Sequence, residues 1–316
     1  MIITCEKCGK RYNLDVSAIN RPRVRVRCAH CNHGFTVRNE PADERKTPYP
    51  EGGPTPSGHA VFAISNQKGG VAKTSTCLNL GMSLALLDKK VLLIDFDVQA
   101  NLTISLGFSS RAQSFFDVLY AGSENLSDYI HETRFPGLHL LPSNSRMALL
   151  TKYYMYRPGF ETLLRNRLQQ IVDQYDFILI DTPPALGFCT LNALMAADHV
   201  LIPTPCEYLS MQGIHRIEDI IHFVRRKSGR DIDYHILVSM HNRRSTASEV
   251  IHRKIRDMFG NRVLDTVIEH DEKMKESQIV HLPVCEYDRT SPSARQFMQL
   301  ARELAAATGG DAQQRD

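Results

Sequence analysis

The sequence predicts an α/β fold in which a twisted, mainly parallel sheet lies between two layers of helices. A small metal-bound module precedes it in the sequence. Seven apolar stretches of strand length alternate with stretches of helical periodicity, as in parallel sheets. The predicted strands are residues 60–65, 91–95, 138–141, 177–181, 199–203, 234–239 and 263–268. The predicted helices are residues 73–88, 160–174, 190–197, 211–227, 248–259 and 293–306. Residues 110–157 are expected to form shorter helices and loops.

Two Cys-x-x-Cys pairs, Cys5 with Cys8 and Cys28 with Cys31, predict the N-terminal module. Nineteen residues separate the pairs, a spacing typical of zinc ribbons, in which each pair supplies two thiolates to a tetrahedral site. A segment of this size cannot fold by apolar burial alone, so we expect bound Zn²⁺ to stabilise it. The alternative is a pair of disulfides.

Other residues of this module indicate turns and a basic strand. Gly9 and Gly34 follow the two cysteine pairs, where such turns need a positive φ. His30 and His33 are alternative zinc ligands, although four cysteines already satisfy the ion. Between the pairs, arginines 23, 25 and 27 alternate with valines and share one strand face. This face is either a contact for nucleic acid or an acidic protein, or a solvated surface.

Composition divides the chain and limits its class. Residues 1–38 form the zinc-ribbon module, and residues 39–58, with five prolines and three glycines, are expected to be a flexible linker. Residues 59–308 form the main domain, and residues 309–316 are a polar tail. The 316 residues contain no apolar run of about 18 residues and begin without the pattern of a signal peptide. We therefore expect a cytoplasmic protein without a membrane span.

A glycine-containing loop follows the first strand of the main domain and opens a helix. It reads Ser65-Asn66-Gln67-Lys68-Gly69-Gly70-Val71-Ala72-Lys73-Thr74-Ser75. The backbone N–H groups of such a loop and the helix N-terminus together form a cradle for phosphate groups. Lys73 is expected to contact the β- and γ-phosphates, and the Thr74 hydroxyl to bind Mg²⁺. The alternative is a generic turn between a strand and a helix.

Two further buried strands end in carboxylates. Residues 91–95 end at Asp95 and are followed by Asp97, and residues 177–181 end at Asp181. Parallel sheets bind ligands at the carboxyl ends of their strands, so these groups are candidate site residues rather than solvated strand ends. Asp181 precedes Thr-Pro-Pro and has the form of a Walker B aspartate, which holds Mg²⁺ through water.

In this order and spacing, the motifs resemble the ParA/MinD family of ATPases over roughly residues 60–307. The loop is similar to the family's deviant Walker A pattern, Lys-Gly-Gly-x-x-Lys-[Thr/Ser]. The resemblance implies a P-loop NTPase-type sheet and an ATP-bound homodimer, in which Lys68 reaches the phosphates bound by the other chain. It implies that Asp97 orients the attacking water and that Asp95 lies near the shell of Mg²⁺. The predicted catalytic residues are Lys68, Lys73 and Asp97. The residues predicted to bind ATP are Lys68, Gly69, Gly70, Val71, Ala72, Lys73, Thr74, Ser75, Asp95 and Asp181.

The sequence departs from the family pattern in places. Ala72 stands where glycine is usual, and because alanine is strained at positive φ we expect a lower nucleotide affinity. Val98 replaces a proline after Asp97. Residues 268–271 read Ile-Glu-His-Asp where the family usually has Ile-Pro-Arg-Asn, so the adenine contacts are not assigned. Glu276 falls on a family glutamate.

The resemblance also implies a biological cycle. ATP-bound dimers of the family bind DNA without sequence specificity and position DNA or protein cargo, and an adaptor protein stimulates hydrolysis. It implies a place at the nucleoid of a bacterium. Candidate DNA contacts are Arg225, Arg226, Lys227, Arg243, Arg244, Arg253 and Lys254. The alternative function is a nucleotide-regulated binding protein with little turnover, whose ribbon docks a protein or DNA.

Two related activities are disfavoured. A membrane cycle of the MinD type needs a basic amphipathic C-terminal helix, whereas residues 301–316 are alanine-rich and then polar. An iron–sulfur carrier of this family needs a Cys-x-x-Cys pair in the ATPase domain, and both pairs precede the linker here.

Overall fold

The computed structural model describes residues 2–13, 23–38, 58–123 and 125–309. The chain divides into two compact units, residues 1–53 and 54–316. Most of the predicted linker and of the polar tail lies outside the described residues, so these domain boundaries stay predictions.

The N-terminal unit contains two antiparallel pairs of strands. Strand β1 (Ile2–Thr4) pairs with β2 (Arg11–Asn13), and β3 (Arg23–Arg27) pairs with β4 (Gly34–Arg38). The turn after the first cysteine pair places Gly9 at φ 70° as predicted. The prediction for Gly34 was wrong: Asn32 takes the positive φ of 60°, and Gly34 begins β4. Asparagine adopts this left-handed conformation more readily than most residues, because its short polar side chain can form local hydrogen bonds.

The strands of the second unit form one twisted sheet. In chain order they are β5 (Ala60–Ile64), β6 (Val91–Asp95), β7 (His131–Glu132), β8 (Leu138–Leu141), β9 (Phe177–Asp181), β10 (His199–Pro205), β11 (Asp233–His241) and β12 (Val263–Glu269). Across the sheet their order is β12-β11-β10-β5-β9-β6-β8-β7. Neighbours are parallel except β7, which pairs antiparallel with β8. All seven predicted strands are confirmed, with small differences at their ends.

Helices connect these strands. They are α1 (Lys73–Ala85), α2 (Asn101–Ser105), α3 (Phe115–Ala121), α4 (Ala148–Tyr154), α5 (Leu163–Leu168), α6 (Phe188–Ala196), α7 (Ser210–Ser228), α8 (Thr246–Phe259), α9 (Glu272–Ile279), α10 (Val284–Tyr287) and α11 (Pro292–Gly309). The helix predicted over residues 160–174 is wrong, because α5 has six residues between two 3₁₀ turns. Helices α2, α9 and α10 have eight residues or fewer, too short for a clear periodic signal.

Side chains alternate between the two faces of the sheet and make two separate apolar cores. On β5, Val61 points to the core that contains Leu194 of α6 and Ile217 of α7. Its neighbour Phe62 points to the core formed with α1 and α11, which contains Leu300. The central strands are therefore buried on both sides, as predicted from their continuous apolar runs.

Two close contacts fix the helices of the second core. Gly81 of α1 lies so near β6 that an added Cβ would stand 2.6 Å from Leu93 Cδ2. At the outer edge of the sheet, the carboxylate of Glu303 in α11 accepts hydrogen bonds from the backbone N–H groups of Asp265 and Thr266 at 2.7 and 3.0 Å. Helix α11 therefore packs against the sheet and also bonds to the backbone of its edge strand.

Candidate nucleotide site and cysteine cluster

The loop between β5 and α1 lies at the carboxyl edge of the sheet. Its first residues are held by β10, because the Ser65 N–H donates to the Leu201 carbonyl at 3.0 Å and the Asn66 amide donates to the Pro203 carbonyl at 2.9 Å. Gly70 and Ala72 have φ values of 73° and 67°. The structure thus places Ala72 in the left-handed region, where a Cβ costs about 1–2 kcal/mol.

Lys73 is the first residue of α1 and is almost entirely buried at 7% exposure. Its Nζ donates to the Lys68 carbonyl at 3.1 Å. Burial lowers the pKa of Lys73, while the nearby Asp181 and Asp97 act in the opposite direction. The amine is therefore held within the loop, near two carboxylates, where it lines the cavity.

Thr74 and Asp181 form a hydrogen bond beside a carboxylate oxygen that has no partner in the described part of the chain. The Thr74 hydroxyl donates to Asp181 Oδ2 at 2.7 Å, whereas the buried Oδ1 has no hydrogen-bond partner among the described residues. Burial raises the pKa of Asp181 well above its usual range, and the charge of Asp95 adds to this. An unpartnered carboxylate oxygen beside a hydroxyl suits a hard cation such as Mg²⁺, so the donor set fits the predicted ion.

Asp95 lies deeper than predicted. Its Oδ2 accepts hydrogen bonds from the Thr103 N–H and hydroxyl at 2.8 and 2.7 Å, and its Oδ1 accepts one from the Asp97 N–H at 3.1 Å. Burial raises its pKa to about 6 despite these bonds. The contacts connect β6 to α2 and shape the loop between them, and the place of Asp95 near the shell of Mg²⁺ stays a prediction.

Asp97 faces the cleft, unlike Asp95. It is 8% exposed and lines the cavity together with Lys73 and Thr74. Its Oδ1 accepts a hydrogen bond from the Gln99 N–H at 3.0 Å, and its carbonyl accepts one from the Ser143 hydroxyl at 2.6 Å. A carboxylate held in this way can accept a proton or a hydrogen bond from water beside the phosphate loop.

A cavity of about 500 Å³ extends from the loop along α9. Its lining includes residues 69–76, the β11 residues Ser239 and Met240, and residues 268–271 at the end of β12 and just beyond it. From α9 it receives Met274, Lys275 and Gln278, and the Gln278 amide donates to the Ser75 hydroxyl at 2.8 Å. Sequence reasoning singled out only Glu276 on this helix and missed the three residues that line the cavity. The wall formed by residues 268–271 lies where the family comparison expects an adenine contact.

Lys68 and Glu276, both singled out from the sequence, make contacts within the chain. Lys68 forms an ion pair with Glu207, which lies just beyond β10. Glu276 accepts from Lys273 at 2.7 Å and from the Tyr287 hydroxyl at 2.8 Å, so it joins α9 to α10. No sequence signal pointed to Glu207 as a partner of Lys68, because 139 positions separate them.

The four N-terminal cysteines converge as predicted. All four are free thiols, and their Sγ atoms lie within 4.8 Å of one another. The Sγ distances from Cys5 to Cys31 and from Cys8 to Cys28 are 3.6 Å, far beyond a disulfide bond and suited to ligands around one ion. This arrangement disfavours the alternative of two disulfides.

Aromatic and histidine side chains surround the cysteine cluster. A hydrogen bond from the Tyr12 hydroxyl lowers the pKa of Cys28, whereas contacts among the thiols raise the pKa of Cys8 and of Cys31, so the thiol groups of the cluster influence one another. His30 Nδ1 faces Lys10 Nζ at 3.5 Å, and His33 stacks on Phe35. The structure thus gives both alternative histidine ligands other contacts.

The predicted DNA-contact residues differ in exposure. Arg226, Lys227, Arg243, Arg244, Arg253 and Lys254 are exposed. Arg225 instead donates to the Ile232 carbonyl at 3.0 Å and pairs with Asp231 at 3.3 Å, and so closes the end of α7. Among the described residues, no helix is long and apolar enough to span a membrane.

Comparisons with known proteins match both units of the chain. A family model described as an AAA domain matches residues 59–234, and a zinc-ribbon domain model matches residues 1–36. The chromosome-partitioning ATPase Soj of Treponema pallidum is 35% identical over 250 residues, which cover 79% of this chain and 98% of that protein. The chain belongs to the ParA/MinD family of ATPases. ParA of Caulobacter vibrioides, at 33% identity over 255 residues, covers 77% of this chain and 93% of its own length.

Solved structures extend the comparison from sequence to fold. The structure of a Mycobacterium smegmatis protein named cobyrinic acid a,c-diamide synthase, with bound ADP and magnesium, is 30% identical with a TM-score of 0.69. It matches 80% of this chain and 96% of its own. A complex of a Cyanothece McdA variant with ATP has a TM-score of 0.70 at 21% identity, over 78% of this chain and 96% of its own, and shows similarity of fold alone. This ParA/MinD family member therefore combines a P-loop NTPase-type sheet with a zinc-ribbon module.

Proposed function

We propose that this protein is an ATP-hydrolysing molecular switch that dimerises with ATP, binds DNA without sequence specificity and positions DNA or protein cargo. The observation that carries the proposal is the convergence of Lys73, Thr74, Asp97 and Asp181 on one cleft at the carboxyl edge of the sheet. Three separate strand ends contribute these groups. Their chemistry suits binding and cleavage of a nucleoside triphosphate rather than of a neutral ligand.

Each residue has a distinct role in the proposed reaction. Lys73 leaves the Lys68 carbonyl to contact the terminal phosphates, while backbone N–H groups of residues 69–74 surround them. Thr74 and, through water, Asp181 would hold Mg²⁺, which would neutralise charge on the phosphates. Asp97 orients the water that attacks the terminal phosphorus. Asp95 positions the Asp97 loop through its hydrogen bonds to Asp97 and Thr103.

Lys68 is assigned to the contact between two chains. Its carbonyl faces Lys73, but its side chain points away and is 36% exposed. In the proposed dimer this amine leaves Glu207 and reaches the phosphates bound by the partner chain. Closure of the dimer therefore completes the charge around the nucleotide, which links ATP binding to association.

DNA binding is assigned to exposed cations of the dimer. Arg243 and Arg244 lie in the turn after β11, and Arg253 and Lys254 lie on the helix that follows, α8. All four are exposed, and Arg243 also pairs with Glu269. Such exposed cations bind phosphate backbones without reading bases. The zinc-bound ribbon is proposed to dock an adaptor protein that stimulates hydrolysis, or to contact DNA itself. The proposed location is the bacterial nucleoid.

A second function is favoured by the backbone at Ala72. A side chain at φ 67° opposes the loop conformation that the phosphates need, and therefore weakens the nucleotide site. The alternative protein binds nucleotide as a regulatory signal and turns it over slowly.

Measurements of ATPase activity and DNA binding separate the two functions. The full chain is assayed for hydrolysis with and without non-specific DNA, and for DNA binding with ATP, with ADP and without nucleotide. The first function predicts ATP-dependent DNA binding and turnover that Asp97→Ala abolishes while ATP binding persists. It also predicts weaker DNA binding in Arg243→Ala/Arg244→Ala, whereas the exposed pair Arg289→Ala/Arg295→Ala serves as a control. Equal turnover in Asp97→Ala and the wild type would refute the role of Asp97.

A further inference from the structure

The side chain of His241, the last residue of β11, is buried although no hydrogen bond from the described part of the chain to its ring holds it there. Its side chain is 4% exposed, and neither ring nitrogen has a hydrogen-bond partner among the described residues. A buried imidazole normally satisfies at least one nitrogen, because the loss of hydration otherwise destabilises the fold. The ring therefore has coordinating capacity that the protein's own hydrogen bonds do not use.

Two further ligand groups come from α8, the next helix in the chain. Glu249 and His252 are three positions apart and lie on the same side of that helix. Glu249 Oε1 lies 3.4 Å from His241 Nε2, and the rings of His241 and His252 are 5.3 Å apart. One ligand atom from each of the three residues lies within 4.8 Å of the others.

We propose that His241, Glu249 and His252 bind a divalent transition-metal ion, best matched by Zn²⁺. Two imidazoles and one carboxylate are a donor set that selects zinc over magnesium or calcium. Ligands of a tetrahedral zinc ion stand about 3.4 Å apart, given bonds of about 2.1 Å. The separation of His241 Nε2 and Glu249 Oε1 already has this value. The Glu249 side chain is 52% exposed, which gives the ion a path from solvent and leaves room for water as the fourth ligand.

One contact competes with the ion. Arg256 Nε donates to His252 Nε2 at 3.2 Å, and its positive charge opposes a cation nearby. Arg256 also donates to the Leu264 carbonyl at 3.1 Å and pairs with Asp265 at 3.3 Å. These contacts keep the guanidinium in place when a metal draws His252 toward His241.

A second histidine cluster lies at the other end of β11 and is a weaker candidate. It consists of His199, Asp233 and His235. Asp233 already accepts from Arg262 at 3.1 Å and from the Tyr234 N–H at 2.9 Å, so its carboxylate is engaged. The His199 ring stacks on Phe62 and on His235. This cluster supplies the matched control for the test.

The proposed site would join two elements that carry other functions. His241 accepts a backbone hydrogen bond from His270, which lines the nucleotide cleft, at 2.9 Å. A metal between His241 and α8 would hold the intervening turn, with Arg243 and Arg244, in one conformation. Metal binding at this site does not require ATP hydrolysis.

Zinc content of the full chain tests the site. The protein is reconstituted with Zn²⁺, passed through a desalting column and analysed for metal per chain. We expect His252→Gln and Glu249→Gln each to retain one equivalent fewer than the wild type, whatever the cysteine cluster binds. His235→Gln should retain the wild-type content. Added Zn²⁺ should raise the Tm of the second unit in the wild type and in His235→Gln, but not in His252→Gln.

Cobalt gives an independent signature. Co²⁺ bound at this site lacks the intense thiolate charge-transfer band of a cysteine site, so its weaker visible bands should disappear in His252→Gln. Unchanged zinc content in both α8 variants, or loss of an equivalent in His235→Gln instead, would overturn the proposal. Because His252 is only partly buried, its variant should fold, and circular dichroism of the metal-free proteins checks this.

Discussion

Lys68 and Glu207 form an ion pair within one chain across the end of the central sheet. Their side chains are 36% and 57% exposed, so the pair is accessible to solvent and to a partner molecule. Glu207 therefore neutralises the charge of Lys68, the residue proposed to contact the phosphates of the neighbouring chain, when the chain is alone. In the proposed dimer, this contact would be replaced by one between Lys68 and the phosphates bound by the other chain.

Removal of the Glu207 charge should favour dimerisation. In Glu207→Gln the lysine loses its internal partner, and because exposed ion pairs contribute about 0–1 kcal/mol, the ATP concentration for half-maximal dimerisation should fall by up to about fivefold. Sedimentation or light scattering across an ATP series measures this. Glu286→Gln, which removes an exposed pair with Arg289, is the control. A higher ATP requirement in Glu207→Gln would contradict the exchange.

Ala72→Gly should stabilise the phosphate loop. The change removes a Cβ from a residue at φ 67°, and the expected gain is about 1 kcal/mol in the free energy of unfolding, with tighter nucleotide binding. Denaturant unfolding and ATP titration measure the two effects. Ala306→Gly, at an exposed position in the last third of α11, should destabilise by up to about 1 kcal/mol, since glycine there weakens the helix. Weaker nucleotide binding in Ala72→Gly would show that the strain is not the cause of a low affinity.

Thr74→Val should abolish magnesium-dependent turnover with little change of shape. Valine removes the hydroxyl that donates to Asp181 Oδ2 and leaves both oxygens of that buried carboxylate without a donor. The cost should be about 1–3 kcal/mol of stability. ATPase assays across a Mg²⁺ series and thermal melts provide the readouts. Thr76→Val is the matched control, because the Thr76 hydroxyl is buried on the same helix without a hydrogen-bond partner in the described structure.

Chelation should unfold the N-terminal module and leave the second unit folded. The described core of the module is small, with Cys5, Cys28 and Phe35 buried, so metal binding must supply most of its stability. Limited proteolysis should cut residues 1–38 after chelator treatment or in Cys8→Ser, while the second unit keeps its Tm. Cys189→Ser, outside the cluster, should resist like the wild type. A chelated module that still resists protease would argue against a structural metal.

Gly81→Ala should destabilise the protein although alanine is a better helix former. The new Cβ would meet Leu93 Cδ2 at 2.6 Å, and overpacking of this kind costs about 1–3 kcal/mol. Chemical unfolding measures the loss. Ser83→Ala on the same helix removes a buried hydroxyl without a partner in the described structure and should be neutral or stabilising. Equal stability of Gly81→Ala and the wild type would mean that α1 shifts without cost.

The sequence predicted elements whose signal is local. The strands around Ile94 and Ile180 are continuous apolar runs that end in aspartates, and both ends lie at the same sheet edge as expected. The cysteine spacing likewise predicted the cluster. Gly34, in contrast, was assigned the turn conformation that Asn32 adopts, because two residues near a turn can both tolerate positive φ and the chain uses one.

Long-range contacts could not be predicted in this way. The Glu207 partner of Lys68 and the contact of Gln278 with Ser75 join residues 139 and 203 positions apart. The first depends on the sheet order, which brings β10 beside β5, and the second on the place of α9 beside the start of α1. Asp95 and Asp97 belong to one motif, yet only Asp97 faces the cleft. Asp95 is instead bound by Thr103, which lies on α2, a helix without a clear sequence signal.

The carboxylate of Glu303 affects whether the edge strand β12 can pair with a strand of another molecule. Exposed edge strands invite backbone pairing with other molecules and lead to aggregates. Glu303 occupies the N–H groups of Asp265 and Thr266, and Gln296 occupies that of Glu269, so β12 offers few donors to an incoming strand. Helix α11 therefore covers backbone donors of the edge strand and disfavours aggregation of copies of this chain through backbone pairing.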